Sequence, residues 1–200
     1  MRQLALEISP PPAPTLDNFV PGENAELHAR LRELAAGSLA ESIVYLWGEP
    51  GSGRSHLLSA CARPGVIIAD DVESLDEAQQ IDLFHRINEA RQTGSAVLAA
   101  GNAPPAQLAV REDLRSRLGW GLVYQVKPLT DAERAVYLST EAERRGMRLG
   151  NEVVRYLLAR VRRDLPSLGA ILELLDRTSL EQKRRITVPF VREALKTLEE

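Results

Sequence analysis

The sequence is poor in cysteine, in aromatic residues and in long apolar runs. Cys61 is the one cysteine in 200 residues, so no intrachain disulfide can form and a reducing compartment is expected. It lies in an apolar helical run, where a small buried residue is weighed against a reactive thiol. Phe, Trp and Tyr make up 4% of the chain, which leaves the core to Leu, Val, Ile and Ala. No apolar run reaches the ~18 residues that would suggest a bilayer span, and the N-terminus has no signal-peptide core. A cytoplasmic protein without a membrane partner is expected. Neither sign of charge is in large excess. The formal net charge of −3 argues against a non-specific electrostatic grip on DNA by the whole molecule. The balance is uneven, with 11 Lys/Arg against 16 Asp/Glu in residues 1–127 and 14 against 12 in residues 128–200. A mildly basic second part reads as a solvated helical surface before it reads as a nucleic-acid site.

What is present suits one soluble domain, or a domain with a small appendage: 44% hydrophobic and 26% charged residues. The first 20 residues carry a short motif and then Pro10, Pro11, Pro12 and Pro14. Such a segment is extended and cannot enter a core helix, so it reads as a tail on a semi-rigid leash. Residues 24–40 read as a helix with Leu27, Leu31 and Leu34 on one face. Ser42–Gly48, Val66–Asp71 and Ser95–Asn102 read as buried strands, with Leu122–Val126 as a fourth. Between them fall a helix over Gly53–Ala62, an amphipathic helix over 73–92 through Leu75, Ala78, Ile81, Phe84, Ile87 and Ala90, and a turn at Pro104-Pro105. Strands alternating with helices predict a parallel α/β sheet. After Pro128 the pattern is helical, over roughly 130–146, 150–163, 166–182 and 188–199. The predicted divisions are a tail (1–20), an α/β core (21–127) and a helical lid (128–200). No internal repeat is found.

Gly48-Glu49-Pro50-Gly51-Ser52-Gly53-Arg54-Ser55 has the spacing of a phosphate-binding loop, with arginine in place of lysine. Strand, glycine loop and helix form the context that the motif needs. Gly48, Gly51 and Gly53 let backbone N–H groups curl around a phosphate, and the helix start, with His56, completes the cradle. Ser55 is placed to ligate Mg²⁺. Arg54 keeps the charge but is a planar fork rather than a point charge, which suits diphosphate binding better than a tuned hydrolysis geometry. The strand Val66–Asp71 ends in two acids: Asp70 to hold Mg²⁺ through water, Asp71 where a base or water-positioning residue belongs. Acids there can also simply cap the next helix. Asn102 ends the next strand, either to orient a water or to form the turn before Ala103-Pro104-Pro105. Arg115 and Arg117 precede the last strand, where an arginine can reach a neighbour's nucleotide; spacing alone also fits surface arginines.

GEPGSGRSHLLSACA, VIIADD, AAGNAPPAQL, LRSRLGWGLVYQVKPLTD and RITVPFVREALK together resemble the AAA+ ATPases of the bacterial replication-initiator group. They are most similar to the Hda family, the regulatory inactivators of DnaA, over nearly the whole chain. SRLGWG and the VPFV ending carry the specificity. The resemblance implies a P-loop AAA+ α/β core with a shortened parallel sheet, followed by an all-helical lid. It implies an N-terminal motif, Gln3, Leu4, Leu6 and Ile8, that docks on the sliding clamp (the polymerase beta subunit). It implies an arginine finger, Arg117, that stimulates ATP hydrolysis by DnaA in trans and so shuts off initiation. The nucleotide in this chain's own loop is then an adenine nucleotide, ADP before ATP, with Mg²⁺. Arginine at position 54 is common in the family. Two departures stand out. Only 14 residues, His56–Ala69, separate Ser55 from Asp70, where a full core places another strand and helix. Pro166 occupies the position of the family's nucleotide-sensing arginine, leaving Arg162 and Arg163 as substitutes.

Fast turnover by this chain is not expected, and the alternative is a clamp-associated adaptor with a degenerate loop. A stand-alone DNA-binding initiator is disfavoured, because Glu200 follows the lid directly and leaves no room for a helix-turn-helix; sequence-specific DNA contact is not expected. A small-molecule kinase fits the helical lid and the Ser116-Arg117 stretch poorly. Weak self-association through the arginine face is compatible with the sequence.

Overall fold

The structure is a computed structural model that describes residues 13–161 and 165–196. The chain divides into two compact units, Pro12–Pro128 and a second that takes in Leu129–Glu200.

The first unit is built on four parallel strands: β1 (Ile43–Trp47), β2 (Val66–Ala69), β3 (Ala96–Gly101) and β4 (Leu122–Gln125). Their order is β2-β3-β1-β4. Helices α1 (Ala25–Ala36) and α2 (Arg54–Ala60) cover one face; α3 (Glu77–Thr93) and α4 (Glu112–Leu118) cover the other. Alternate residues of each strand feed opposite cores. Val44, Leu46, Leu98 and Ala100 meet Leu27, Leu31, Leu57 and Leu58. Ile43, Tyr45, Val97 and Ala99 meet Leu83, Ile87, Leu114 and Leu118. With helices on both faces, the central strands are apolar at every position rather than at every second one.

Three readings of the sequence need correction. Val66–Ala69 is not fully buried: it is an edge strand, paired with β3 and half-buried throughout. Its apolar run persists because Val66 and Ile68 pack against one core while Ile67 and Ala69 pack against the other. The inward face of α3 is Leu83, Ile87 and Ala90, whereas Ala78 and Ile81 face solvent. That helix starts only at Glu77, behind a capping box in which the Gln79 N–H donates to Asp76 Oδ1 at 2.8 Å and the Asp76 N–H to Gln79 Oε1 at 2.9 Å; Leu75 stays outside it. Finally, α4 was not expected. It has seven residues, too few for a periodic pattern to stand out, yet Leu114 and Leu118, four apart, are fully buried.

The second unit holds α5 (Asp131–Arg144), α6 (Asn151–Arg160), α7 (Leu165–Gln182) and α8 (Val188–Lys196). It has its own core of Leu138, Leu157, Leu168, Leu172, Phe190 and Val191 with their neighbours. Thr130 starts α5 through a second capping box: its N–H donates to Glu133 Oε2 at 2.7 Å, and the Glu133 N–H to Thr130 Oγ1 at 3.3 Å. The Thr130 N–H, and then its hydroxyl, both donating to Glu133 Oε2, hold that carboxyl below its ordinary range. Among the described residues no helix is long and apolar enough to cross a membrane.

Candidate functional site

The glycine loop links β1 to α2 at one end of the sheet. Gly48 follows β1 directly, where a Cβ would stand 2.6 Å from the Val126 carbonyl oxygen and 3.0 Å from Ser52 Oγ, so only glycine fits. Gly53 has φ 103°, in the left-handed region that side chains disfavour. The loop buries Ser52 and Arg54, the latter 9% exposed. Ser52 Oγ and Arg54 Nη1 are buried without a hydrogen-bond partner among the described residues. Burying an unpaired donor costs about 1–3 kcal/mol, and native structures keep such groups mainly where something else completes them. A cation, a hydroxyl and N–H groups form a donor set for an anion, so the residues present fit a nucleotide's phosphates. Ser55 is exposed beside them.

The two acids after β2 differ. Asp70 Oδ1 accepts the Asp71 N–H at 2.9 Å. Asp71 sits at φ 43° and points its carboxylate at Arg54, with Nη2 to Oδ1 at 3.9 Å. Asn102, exposed at the end of β3, donates its backbone N–H to Glu73 Oε2 at 3.2 Å. Glu73 is a carboxylate at this sheet end that the sequence did not single out. It also helps burial to push the Tyr45 hydroxyl far above its ordinary pKa, burial being the larger cause; that hydroxyl donates to the Ala103 carbonyl at 2.8 Å. Among the described residues no three His, Cys, Asp or Glu side chains gather as a metal cage. A Mg²⁺ site from Ser55 and Asp70 would need phosphate and water to complete it, as Mg²⁺ commonly does.

A second feature absent from the sequence reading is a strap over the loop. Phe19, nearly buried, packs its ring on Gly53, where a Cβ would lie 3.0 Å from Phe19 Cε2. Two histidines flank it, with ring centroids 5.9 Å (His28) and 5.7 Å (His56) away. Nε2 of His28 meets the Leu16 carbonyl at 2.7 Å, and Nε2 of His56 the Thr15 carbonyl at 3.0 Å. A nitrogen facing a carbonyl oxygen must carry the proton, so each imidazole donates. His56 thus anchors the strap. Phe19, His28 and His56 meet only through the fold, and no sequence spacing announces them.

Arg117 lies on α4, at the rim of the same unit. Its Nε donates to Asn88 Oδ1 at 2.8 Å. Its Cζ sits 3.5 Å from the centroid of a Trp120 ring and 5.3 Å from that of Phe84. Each such contact contributes about 0.5–1 kcal/mol at an exposed site. Trp120 is 48% exposed. Arg117 has no carboxylate partner among the described residues, whereas Arg111 nearby pairs with Asp113 at 3.0 Å and Glu77 at 3.3 Å. The structure therefore brings Gly48, Gly51, Gly53, Arg54 and Asp71 together and leaves Arg117 on a separate rim of α3 and α4. Gln3, Leu4, Leu6 and Ile8 lie outside the described residues, as do Arg162 and Arg163. Pro166 belongs to the first turn of α7.

Residues 131–195 match the family model described as Hda, lid domain. Solved structures share the fold. Domain III of the Thermotoga maritima replication initiation protein DnaA aligns with a TM-score of 0.75 at 21% identity, over 94% of this chain and 98% of that one. AMPPCP-bound DnaA from Aquifex aeolicus aligns with a TM-score of 0.69 at 23% identity, over 85% and 68%. The Thermotoga maritima RuvB Holliday junction branch migration motor aligns with a TM-score of 0.69 at 17% identity, over 92% and 72%.

Proposed function

We propose that the chain is an Hda-like, DnaA-related AAA+ protein that restrains replication initiation by acting in trans on ATP held by DnaA; the lid match over residues 131–195 and the fold shared with DnaA domain III support this reading. The observation that carries this reading is the Arg117 guanidinium, oriented by Asn88 and Trp120 and matched by no carboxylate among the described residues. A pre-oriented cation at a rim can stabilise charge that develops on a neighbour's transferring phosphate; in GTPases such a residue contributes ~10³–10⁵ in rate. Gln3, Leu4, Leu6 and Ile8 are the clamp contact. The glutamine makes hydrogen bonds, the leucines fill an apolar pocket, and the proline-rich stretch supplies reach. The protein works in the cytoplasm, brought to DNA by the clamp.

The glycine loop holds an adenine nucleotide, ADP in preference to ATP, as a structural or regulatory ligand. The neighbouring fold from Aquifex aeolicus carries AMPPCP, and the unpaired Ser52 Oγ and Arg54 Nη1 suit phosphate oxygens. Ser55 and Asp70 would hold Mg²⁺, which would neutralise phosphate charge. His56 and the strap around Phe19 steady the start of α2.

The test is hydrolysis of ATP pre-bound to the same organism's DnaA, with this protein and clamp loaded on DNA. Acceleration that disappears in a Gln3→Ala/Leu6→Ala double variant is the expected result. No acceleration, with clamp binding intact, overturns the reading. A second reading, an adaptor whose loop is inert, draws on the pairing of Asp71 with Arg54, which occupies the acid that would position a water. Thermal unfolding separates the two: ADP with Mg²⁺ at about 100 times its Kd adds ~2.7 kcal/mol of stability if the loop binds it, and Arg54→Ala removes that gain. No gain in the wild type favours the adaptor.

A further inference from the structure

Arg117 is not alone on its indole. The Cζ of Arg91 lies 5.0 Å from the centroid of a Trp120 ring, which Arg117 approaches to 3.5 Å. Arg91 is exposed at the end of a flank of α3 on which Ile81, Phe84, Asn88 and Arg91 recur at three- and four-residue intervals, Phe84 and Asn88 being half-buried. Like Arg117, it pairs with no carboxylate among the described residues. Several other arginines of this unit do: Arg30 with Glu33, Arg32 with Asp17, and Arg111 with Asp113. Two guanidinium groups against one indole repel each other, and the ring's quadrupole offsets part of this repulsion. An anion within reach of both would turn repulsion into attraction.

Resting on the trans-acting reading of Arg117, we propose that Arg91 and Trp120 complete that site. Arg91 is a second cation for the polyphosphate of a nucleotide held by the partner, and Trp120 is the positioning residue that holds both guanidinia. A planar guanidinium can stack on the indole and still present a fork of N–H donors to phosphate oxygens. A partner carboxylate would also attract two arginines. The phosphate is favoured because Arg117, already oriented by Asn88, is assigned to it, and Arg91 converges on the same ring rather than on a separate patch.

The experiment is single-turnover hydrolysis of ATP pre-bound to DnaA, with full-length protein and clamp on DNA, at increasing protein concentrations. Wild type, Arg91→Ala, Arg91→Lys, Trp120→Phe and Arg117→Ala are compared after thermal unfolding shows each variant folded. Arg91→Ala is expected to lower the maximal rate by about tenfold, less than the ~10²–10³ typical of a single pre-organised donor because Arg91 is exposed. The half-saturating concentration should change little. Arg91→Lys should regain part of the loss, since it restores charge without the planar stack. Trp120→Phe keeps an aromatic face and should stay within about threefold of wild type. An Arg91→Ala maximal rate equal to wild type, with Arg117→Ala inactive, overturns the inference and leaves the Arg117 reading standing. So does an Arg91→Ala effect confined to half-saturation, which would assign Arg91 to a partner carboxylate. A wild type that never accelerates hydrolysis overturns the trans-acting reading and this inference together.

Discussion

The glycine loop and the α3–α4 rim each hold a guanidinium, by opposite means. Arg54 is buried, has one nitrogen without a partner and shares its other end with Asp71 at 3.9 Å. Arg117 is half-buried, stacked on Trp120 and hydrogen-bonded to Asn88 through Nε, and it has no carboxylate partner among the described residues. The loop hides its guanidinium from solvent, whereas the rim leaves its guanidinium partly exposed. In one unit, then, the same side chain is held in two environments, and the difference lies in what each packs against.

The sharpest way to break this comparison is Arg117→Ala. It should abolish stimulation of DnaA, a loss of roughly 10³-fold or more by analogy with arginine fingers, while leaving the ADP-dependent thermal shift and clamp binding unchanged. Normal stimulation would mean that the rim presents nothing. Next is Gly48→Ala. The added methyl meets the Val126 carbonyl and Ser52 Oγ and should cost about 1–3 kcal/mol, read by denaturant unfolding, together with the ADP response. Loss of stability with the ADP response intact would separate the loop's packing from its binding.

Cys61 gives a smaller, kinetic probe. It packs behind α2, and burial pushes its thiol up to about 11. The folded state therefore keeps the proton longer than the unfolded chain, whose thiol titrates near its ordinary 9.0. The resulting stability is present below that pH and fades as pH rises toward about 11. Alkylation at pH 8 should be slow, slower still with ADP, and indifferent to Arg91→Ala or Arg117→Ala. Equal protection by rim and loop variants would blur the distinction between the two regions. The least effect is expected at the rim in acid. The hydrogen bond from Arg111 holds the Asp113 carboxyl below its ordinary range. A lowered carboxyl stabilises the fold above its unfolded pKa, and that contribution is lost as pH falls through the lower folded value. Asp113→Asn should flatten this acid-side slope without touching ADP binding.

Much of the loop was legible in the sequence because its chemistry is local. Gly48, Gly53, Arg54 and Ser55 are read from spacing, and the strand before them from an unbroken apolar run. The lid helices were legible because each is long enough for a repeating apolar face. The rim was only half legible. Arg117 could be singled out from SRLGWG, but its partners Asn88 and Trp120 come from different elements, and α4 beneath it is less than two full turns. β2 was read as buried because an edge strand covered on both faces has the same apolar pattern as a central one; only pairing tells them apart. The strap was not legible at all, since Phe19, His28 and His56 are separate marks in the sequence until α1 and α2 bring them together.

The edge position of β2 sets a rhythm for isotope exchange. The Ala96 N–H donates to the Gly65 carbonyl at 2.9 Å, so along the parallel ladder Ile67 and Ala69 turn their backbone groups toward β3, while Val66 and Ile68 turn theirs away. The Val66 N–H is taken by the Arg63 carbonyl at 3.1 Å. Ile68 is left with an amide facing outward from the sheet, so in deuterated water it should label early, between two neighbours that label late.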